Sequence, residues 1–179
     1  MSDRNYWIGI AAKDHVDAAS AGSFAQVNRG NAAPLERLRA GDGYVFYSPR
    51  IASPDGEPLQ AFTAIGRVRT GQVYQATIDA DFHPFRVDVD YLRSQPAPIK
   101  PLIAELSFIR NKAHWGAAFR FGMRRVPEID FALATRPAFA TWTEPLMVLS
   151  ARSPLMSLTL MLPDTDPTVS RVPAGAPMV

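Results

Sequence analysis

The chain has 179 residues, enough for one ordinary domain and too few for two. Its apolar content of 47% suits a globular protein, its net charge is only +2, and it has no cysteine, which excludes disulfides, thiolate zinc sites and a cysteine nucleophile. The cations are nearly all arginine, with lysine only at 13, 100 and 112; arginine makes planar contacts with phosphate and stacks on bases, although genomic composition accounts for such a bias equally well.

Met1 to Asn5 is polar and leads directly into Tyr6-Trp7-Ile8-Gly9-Ile10, which reads as a strand. No signal peptide is expected, and a reducing cytoplasm fits. Asp14 is placed to cap a short helix from His15 to about Ala21, closed by Gly22. Ser23 to Val27 follows as a strand, then the polar loop Asn28-Arg29-Gly30-Asn31. Pro34 sits as a first-turn residue of a second helix, with Leu35 and Leu38 inward and its end near Gly41. Gly41-Asp42-Gly43 is turn chemistry, and Tyr44 to Tyr47 is a β-branched and aromatic strand. Pro49 cannot donate to a ladder, so that strand is expected to end there and to deliver Tyr47 and Ser48 to its mouth.

Leu59 to Val68 is the longest strand candidate, with Gly66 as a bulge or a point of close approach. Thr70-Gly71 is expected to turn the chain into a returning strand, Val73 to Ile78. Arg86 to Tyr91 alternates strictly, as a half-buried strand does, which puts Asp88 and Asp90 on its solvent face. Pro96 to Pro101 leads into a helix with Leu102, Ile103 and Leu106 on one face. Met123 to Val126 is a last strand, and Pro127 starts a helix from Glu128 to Thr135 that buries Ile129 and Leu133. Several short strands separated by turns predict a small closed barrel. After Pro137 prolines recur and charges almost vanish, so residues 137–179 are expected to be a poorly ordered or loosely docked tail. Within it, Leu146 to Leu162 holds Arg152 and Pro154 and is shorter than the roughly 20 apolar residues a spanning helix needs.

Tyr6-Trp7-Ile8-Gly9-Ile10, Gly22 to Gln26, Gly41-Asp42-Gly43, Tyr47-Ser48-Pro49, Leu59 to Gly66, Trp115-Gly116 and Arg120-Phe121-Gly122 together resemble the EVE domain. The resemblance covers about residues 5 to 136 and implies an α+β fold: a small PUA-like β-barrel flanked by short helices. A domain over 1–136 and a Pro-rich tail over 137–179 follow. It also implies binding of one nucleic-acid base, often modified, in an aromatic-lined pocket. Relatives of the fold read methylated cytosine in DNA or methylated adenine in RNA. Three stretches depart from the commoner pattern. Asn28 to Asn31 stands where many members have His-Gly-Lys, Arg86 lacks a second Arg beside it, and Met123-Arg124-Arg125-Val126 replaces a more apolar and acidic run.

A base extracted from its stack needs aromatic faces, fixed polar groups and cations for flanking phosphates. Trp7, Tyr47 and Trp115 are the candidate faces, and Gln26, Ser48, Pro49 and Asn111 complete the pocket. Arg29, Lys112, Arg120 and Arg124 are the candidate phosphate contacts. Trp7 and Trp115 serve equally well as core, whereas Gln26 and Asn111 more often hold loops and Arg29 and Arg124 are most often simply solvated charges.

Catalysis is not expected. His15, His83 and His114 are far apart and lack partners for a metal, and Ser48 lacks a Gly-x-Ser-x-Gly elbow. No cofactor, no metal and no membrane partner are expected. The partner predicted is nucleic acid, DNA or RNA; the alternative is a module that binds protein or a small nucleotide-like ligand.

Overall fold

The computed structural model describes residues 4–136, so the expected tail at 137–179 lies outside the described residues. In chain order the elements are β1 (Tyr6–Ile10), α1 (Lys13–Ala21), β2 (Phe24–Ala25), α2 (Ala32–Leu35), β3 (Gly43–Arg50), β4 (Pro58–Gln75), β5 (Phe85–Leu92), β6 (Ala97–Pro98), β7 (Met123–Val126) and α3 (Glu128–Thr135). Short 3₁₀ turns lie at Asn28–Gly30, Lys100–Leu102 and Trp115–Phe119.

β1 pairs in parallel with β3, Ile8 opposite Val45, and antiparallel with β7. Parallel neighbours need a crossover rather than a hairpin. Here α1, β2 and α2 make that crossover, and they place Val16, Ala19, Val27 and Leu35 against the sheet. The strands run β2-β5-β4-β3-β1-β7, with β6 paired to β4 beside that path. β2 and β7 do not meet, so the closed barrel expected from the sequence is instead an open sheet among the described residues. The cause is local. β2 keeps only two of the five residues expected, because Ser23 (φ 55°) before it and Asn28 (φ 49°) after it turn the chain off the sheet. Too few backbone groups remain for a second ladder.

Both sheet faces are covered. Trp7, Tyr44 and Phe46 pack under α1 and α2. Ile8, Val45 and Tyr47 pack on the other face against Ile99, Leu106, Phe119 and Ala134. Residues 43–48 are therefore buried without alternation, which is why they read as one continuous apolar run. Pro49 does not end β3: the strand runs to Arg50, and the register shifts between Ser48 and Arg50, so the missing N–H falls in a bulge.

The largest departure is β4. Thr70-Gly71 does not reverse the chain, since a single strand runs from Pro58 to Gln75 along the same partner. Val68 faces Val89 and Val73 faces Val87, so the extra residues between them form a bulge. Gly71 (φ +70°) lies against the backbone of Leu38, Arg39 and Ala40, where a Cβ would come within 3.0 Å of each. Gly66 keeps a regular register and is a close approach to Asp90 and Val89.

The helices differ in detail. Ala12, not Asp14, precedes α1, and Asp14 accepts from the His15 amide inside the first turn. α2 ends at Leu35 rather than near Gly41, although Leu35 and Leu38 are buried as expected. The helix expected at 102–106 is a series of tight turns, yet Leu106 is fully buried and Leu102 and Ile103 pack beside it. α3 has the predicted bounds but a rotated face. Asp130 is buried, accepting from Ser107 N (2.8 Å), Ser107 Oγ (2.6 Å) and Phe108 N (3.0 Å), and this anchor leaves Ile129 67% exposed.

Candidate nucleic-acid interface

The Gly41-Asp42-Gly43 turn holds Trp7. Asp42 is buried, and its carboxylate accepts from the Asn5 amide (3.0 Å), the Trp7 indole N–H (2.9 Å) and the Arg39 amide (3.1 Å). The Trp7 ring is 3% exposed and carries the Arg37 guanidinium 4.7 Å above its centroid. A buried indole needs a partner for its N–H, and Asp42 is that partner.

Tyr47 points to the opposite face. It is 2% exposed, stacks on Phe119 with centroids 4.0 Å apart, and meets Phe62 edge-on. Burial pushes its phenol up to about 12. Trp115 is half-buried and edge-on to Phe119. Ser48 is fully buried, its hydroxyl 2.7 Å from that of Thr63. Half-buried Pro49 sits in the β3 bulge. Trp7 and Tyr47 thus lie on opposite faces of the sheet, and no one pocket gathers Trp7, Gln26, Tyr47, Ser48 and Trp115.

The segment from 106 to 124 ties itself together with several of the predicted polar residues. Asn111 accepts from the His114 amide, and Lys112 Nζ donates to the Leu106 carbonyl at 2.7 Å. Arg124 donates to the Ala118 carbonyl at 2.8 Å and lies over the Phe108 ring, while burial pulls its guanidinium below the usual arginine range. Arg29 and Arg120 are exposed.

A surface constellation that the sequence did not reveal forms where β2, β5 and β4 lie side by side. Phe24 pairs with Asp88 and Ala25 with Val87, so one step further Gln26 stands opposite Arg86. Tyr74 of β4 is the direct partner of Arg86 on the other side. Directly opposed strand residues share a face. Phe24, Gln26, Tyr74 and Arg86 therefore share one face and Ala25, Val73 and Val87 the other, although half-buried Phe24 also packs against the core. The Arg86 guanidinium carbon is 3.7 Å from the Phe24 ring centroid, and Arg86 Nε donates to Gln26 Oε1 at 3.0 Å. Arginine only donates, so the Gln26 oxygen faces it and the amide NH₂ is left for another acceptor. Tyr74 is 41% exposed, and its phenol is raised by burial and by Asp88. Gln26 was legible as a polar residue near a strand end; its partners depend on cross-strand register.

The loop that follows β2 frames this face. Asn28, Arg29 and Gly30 are all left-handed, with φ of 49°, 56° and 83°. Gly30 is seated on Pro84, just before β5. At the far end of β1, an open groove of about 430 Å³ between Arg4, Tyr6, Arg125 and Glu128 contains none of the sequence-predicted residues. Among the described residues no three His, Asp or Glu side chains lie together as a metal would require, and no helix is long and apolar enough to cross a membrane.

The pattern of the EVE domain family matches residues 5–136. The chain is 48% identical over 124 residues to a UPF0310 protein of Mycobacterium avium, covering 69% of this chain and 90% of that one. It is 46% identical over 137 residues to a UPF0310 protein of Mycolicibacterium vanbaalenii, covering 76% of this chain and 94% of that one. Among solved structures, a hypothetical protein from Leishmania major is similar with a TM-score of 0.52 at 14% identity, covering 76% of this chain and 95% of that one; the likeness is one of fold.

Proposed function

The chain belongs to the EVE domain family, and from that premise we propose that it is a non-catalytic nucleic-acid-binding module that holds a single base, modified or otherwise unstacked, against the Phe24–Arg86 face. The observation that carries this is the Arg86 guanidinium lying 3.7 Å over the Phe24 ring with Gln26 at its edge. A base offers a flat π-face and a hydrogen-bonding edge. The outer face of the Arg86 guanidinium, backed by the Phe24 ring, presents a flat surface to the first, and the free Gln26 amide meets the second. Tyr74 adds an exposed ring on the adjacent strand. Trp115, half-buried on the other sheet face, then acts as a prop for Phe119 and Tyr47.

The cost of reaching the site selects the ligand. A base leaves its stack most cheaply when it is modified, damaged or single-stranded. Stacking on an aromatic side chain is worth roughly 1–3 kcal/mol per base. Phe24→Ala removes the ring that holds the Arg86 plane in place, and should weaken binding of a labelled single-stranded oligonucleotide by a loss of that order, read by fluorescence anisotropy. Arg86→Gln should weaken it and also reduce discrimination between plain and modified bases. Parent-like affinity in Phe24→Ala would place the base elsewhere.

A further inference from the structure

We infer that exposed Phe121, with Arg29 and Arg120 beside it, is a second stacking site, and that a single strand of nucleic acid crosses this edge with the neighbouring nucleotide on Phe121. The inference rests on the base-holding function proposed above.

Phe121 is 79% exposed, the most exposed of the large hydrophobic side chains among the described residues. It is held out by a defined turn. Gly122 is left-handed (φ +47°), its carbonyl accepts from the Ile10 amide at 2.7 Å, and the Phe121 carbonyl accepts from the Met123 amide. The Asn28 side chain occupies the place that a Cβ on Gly122 would take. That contact brings the turn bearing Phe121 against the loop bearing Arg29. Three successive left-handed residues, two of them not glycine, cost conformational free energy, and such strain is retained where neighbours over-determine it. Here the neighbours are Pro84 beneath Gly30 and Gly122 beneath Asn28.

The surroundings decide the occupant. Phe121 is flanked in the chain by Arg120 and Gly122, and Gly122 meets Asn28, the neighbour of Arg29. Among the described residues Arg29 and Arg120 make no ion pair, and both are exposed. An exposed ring on a turn that also carries Arg120, against the loop that carries Arg29, suits a base flanked by phosphates. Gln26 and Asn28 are two residues apart, a span of at most about 7 Å. Through the Asn28–Gly122 contact, the turn bearing Phe121 lies beyond the end of β2 that leads into Gln26, on the side along which the nucleic-acid strand would continue.

The test compares a labelled pentanucleotide, single-stranded DNA and single-stranded RNA in separate arms, with the matching mononucleotide. Phe121→Ala should weaken pentanucleotide binding by about 5- to 150-fold and leave mononucleotide binding unchanged. Arg29→Gln with Arg120→Gln should weaken the pentanucleotide and lower its salt slope by about 0.7 per lost contact. Phe121 is on the surface, so the variant should melt like the parent. If Phe24→Ala loses both ligands while Phe121→Ala binds the pentanucleotide like the parent, this inference is overturned and the base site stands. If the parent binds neither, both fail.

Discussion

Tyr47 is the residue at which the core and the solution pH meet. Its ring is stacked on Phe119, and burial holds the phenol at about 12 against 10.0 for a free tyrosine. In the unfolded chain the proton leaves first. The stabilisation is therefore complete below pH 10 and is lost as pH rises to about 12. Tyr44 and Tyr91 are also raised by burial and add to the same loss. Urea unfolding of the parent should weaken through that interval. Tyr47→Phe should show a shallower decline, and an identical decline would mean that the Tyr47 phenol is not protected. Trp7 illustrates why aromatic residues are ambiguous in a sequence. A strand tryptophan and a pocket tryptophan look alike until the partner of the indole N–H is known, and here that partner is buried Asp42, 35 positions away.

At the level of elements, the bulge in β4 governs how the outer sheet is built. It keeps Val73, Tyr74 and Gln75 on the same partner strand as Val68, and so sets Tyr74 opposite Arg86. Gly71→Ala should destabilise by about 1–2 kcal/mol from the left-handed backbone alone, with more from crowding against Arg39 and Ala40. Gly116→Ala, with open space around its Cα, should be close to neutral in the same denaturant series. Equal effects would contradict the tight packing at Gly71. This element also shows what was legible in the sequence. β1, β7 and α3 have the predicted bounds because their signals are local: a β-branched or aromatic run, or a proline at a helix start. Thr70-Gly71 misled because a left-handed glycine serves a bulge and a chain reversal equally well. Ile129 misled because the orientation of α3 is set by Asp130 binding a loop more than 20 residues earlier. The Phe24–Arg86 contact was hidden for the same reason, since it exists only once β2 and β5 are in register.

For the whole molecule, net charge is too small to attract nucleic acid over a distance, with only +2 across 179 residues. Affinity must come from where the charges lie. Arg69 is bound to Asp90 at 2.6 Å, and Lys112 and Arg124 are engaged with backbone carbonyls, whereas Arg29 and Arg120 are exposed beside the proposed strand path. Few phosphate contacts and a few stacked bases predict a measurable but modest salt slope, about −0.7 per phosphate for a single strand. An uncharged ligand on the same face would show almost none.

In the proposed complex one base sits against Arg86 and its Phe24 support. This placement is tested most directly by titrating a labelled single-stranded oligonucleotide, plain and modified, into the parent and Phe24→Ala across a salt series. Phe24→Ala is expected to lose about 5- to 150-fold in affinity at every salt concentration, with the salt slope unchanged because stacking and phosphate contacts are separate. Equal affinity in parent and variant, or a parent that binds with no salt dependence at all, would contradict it.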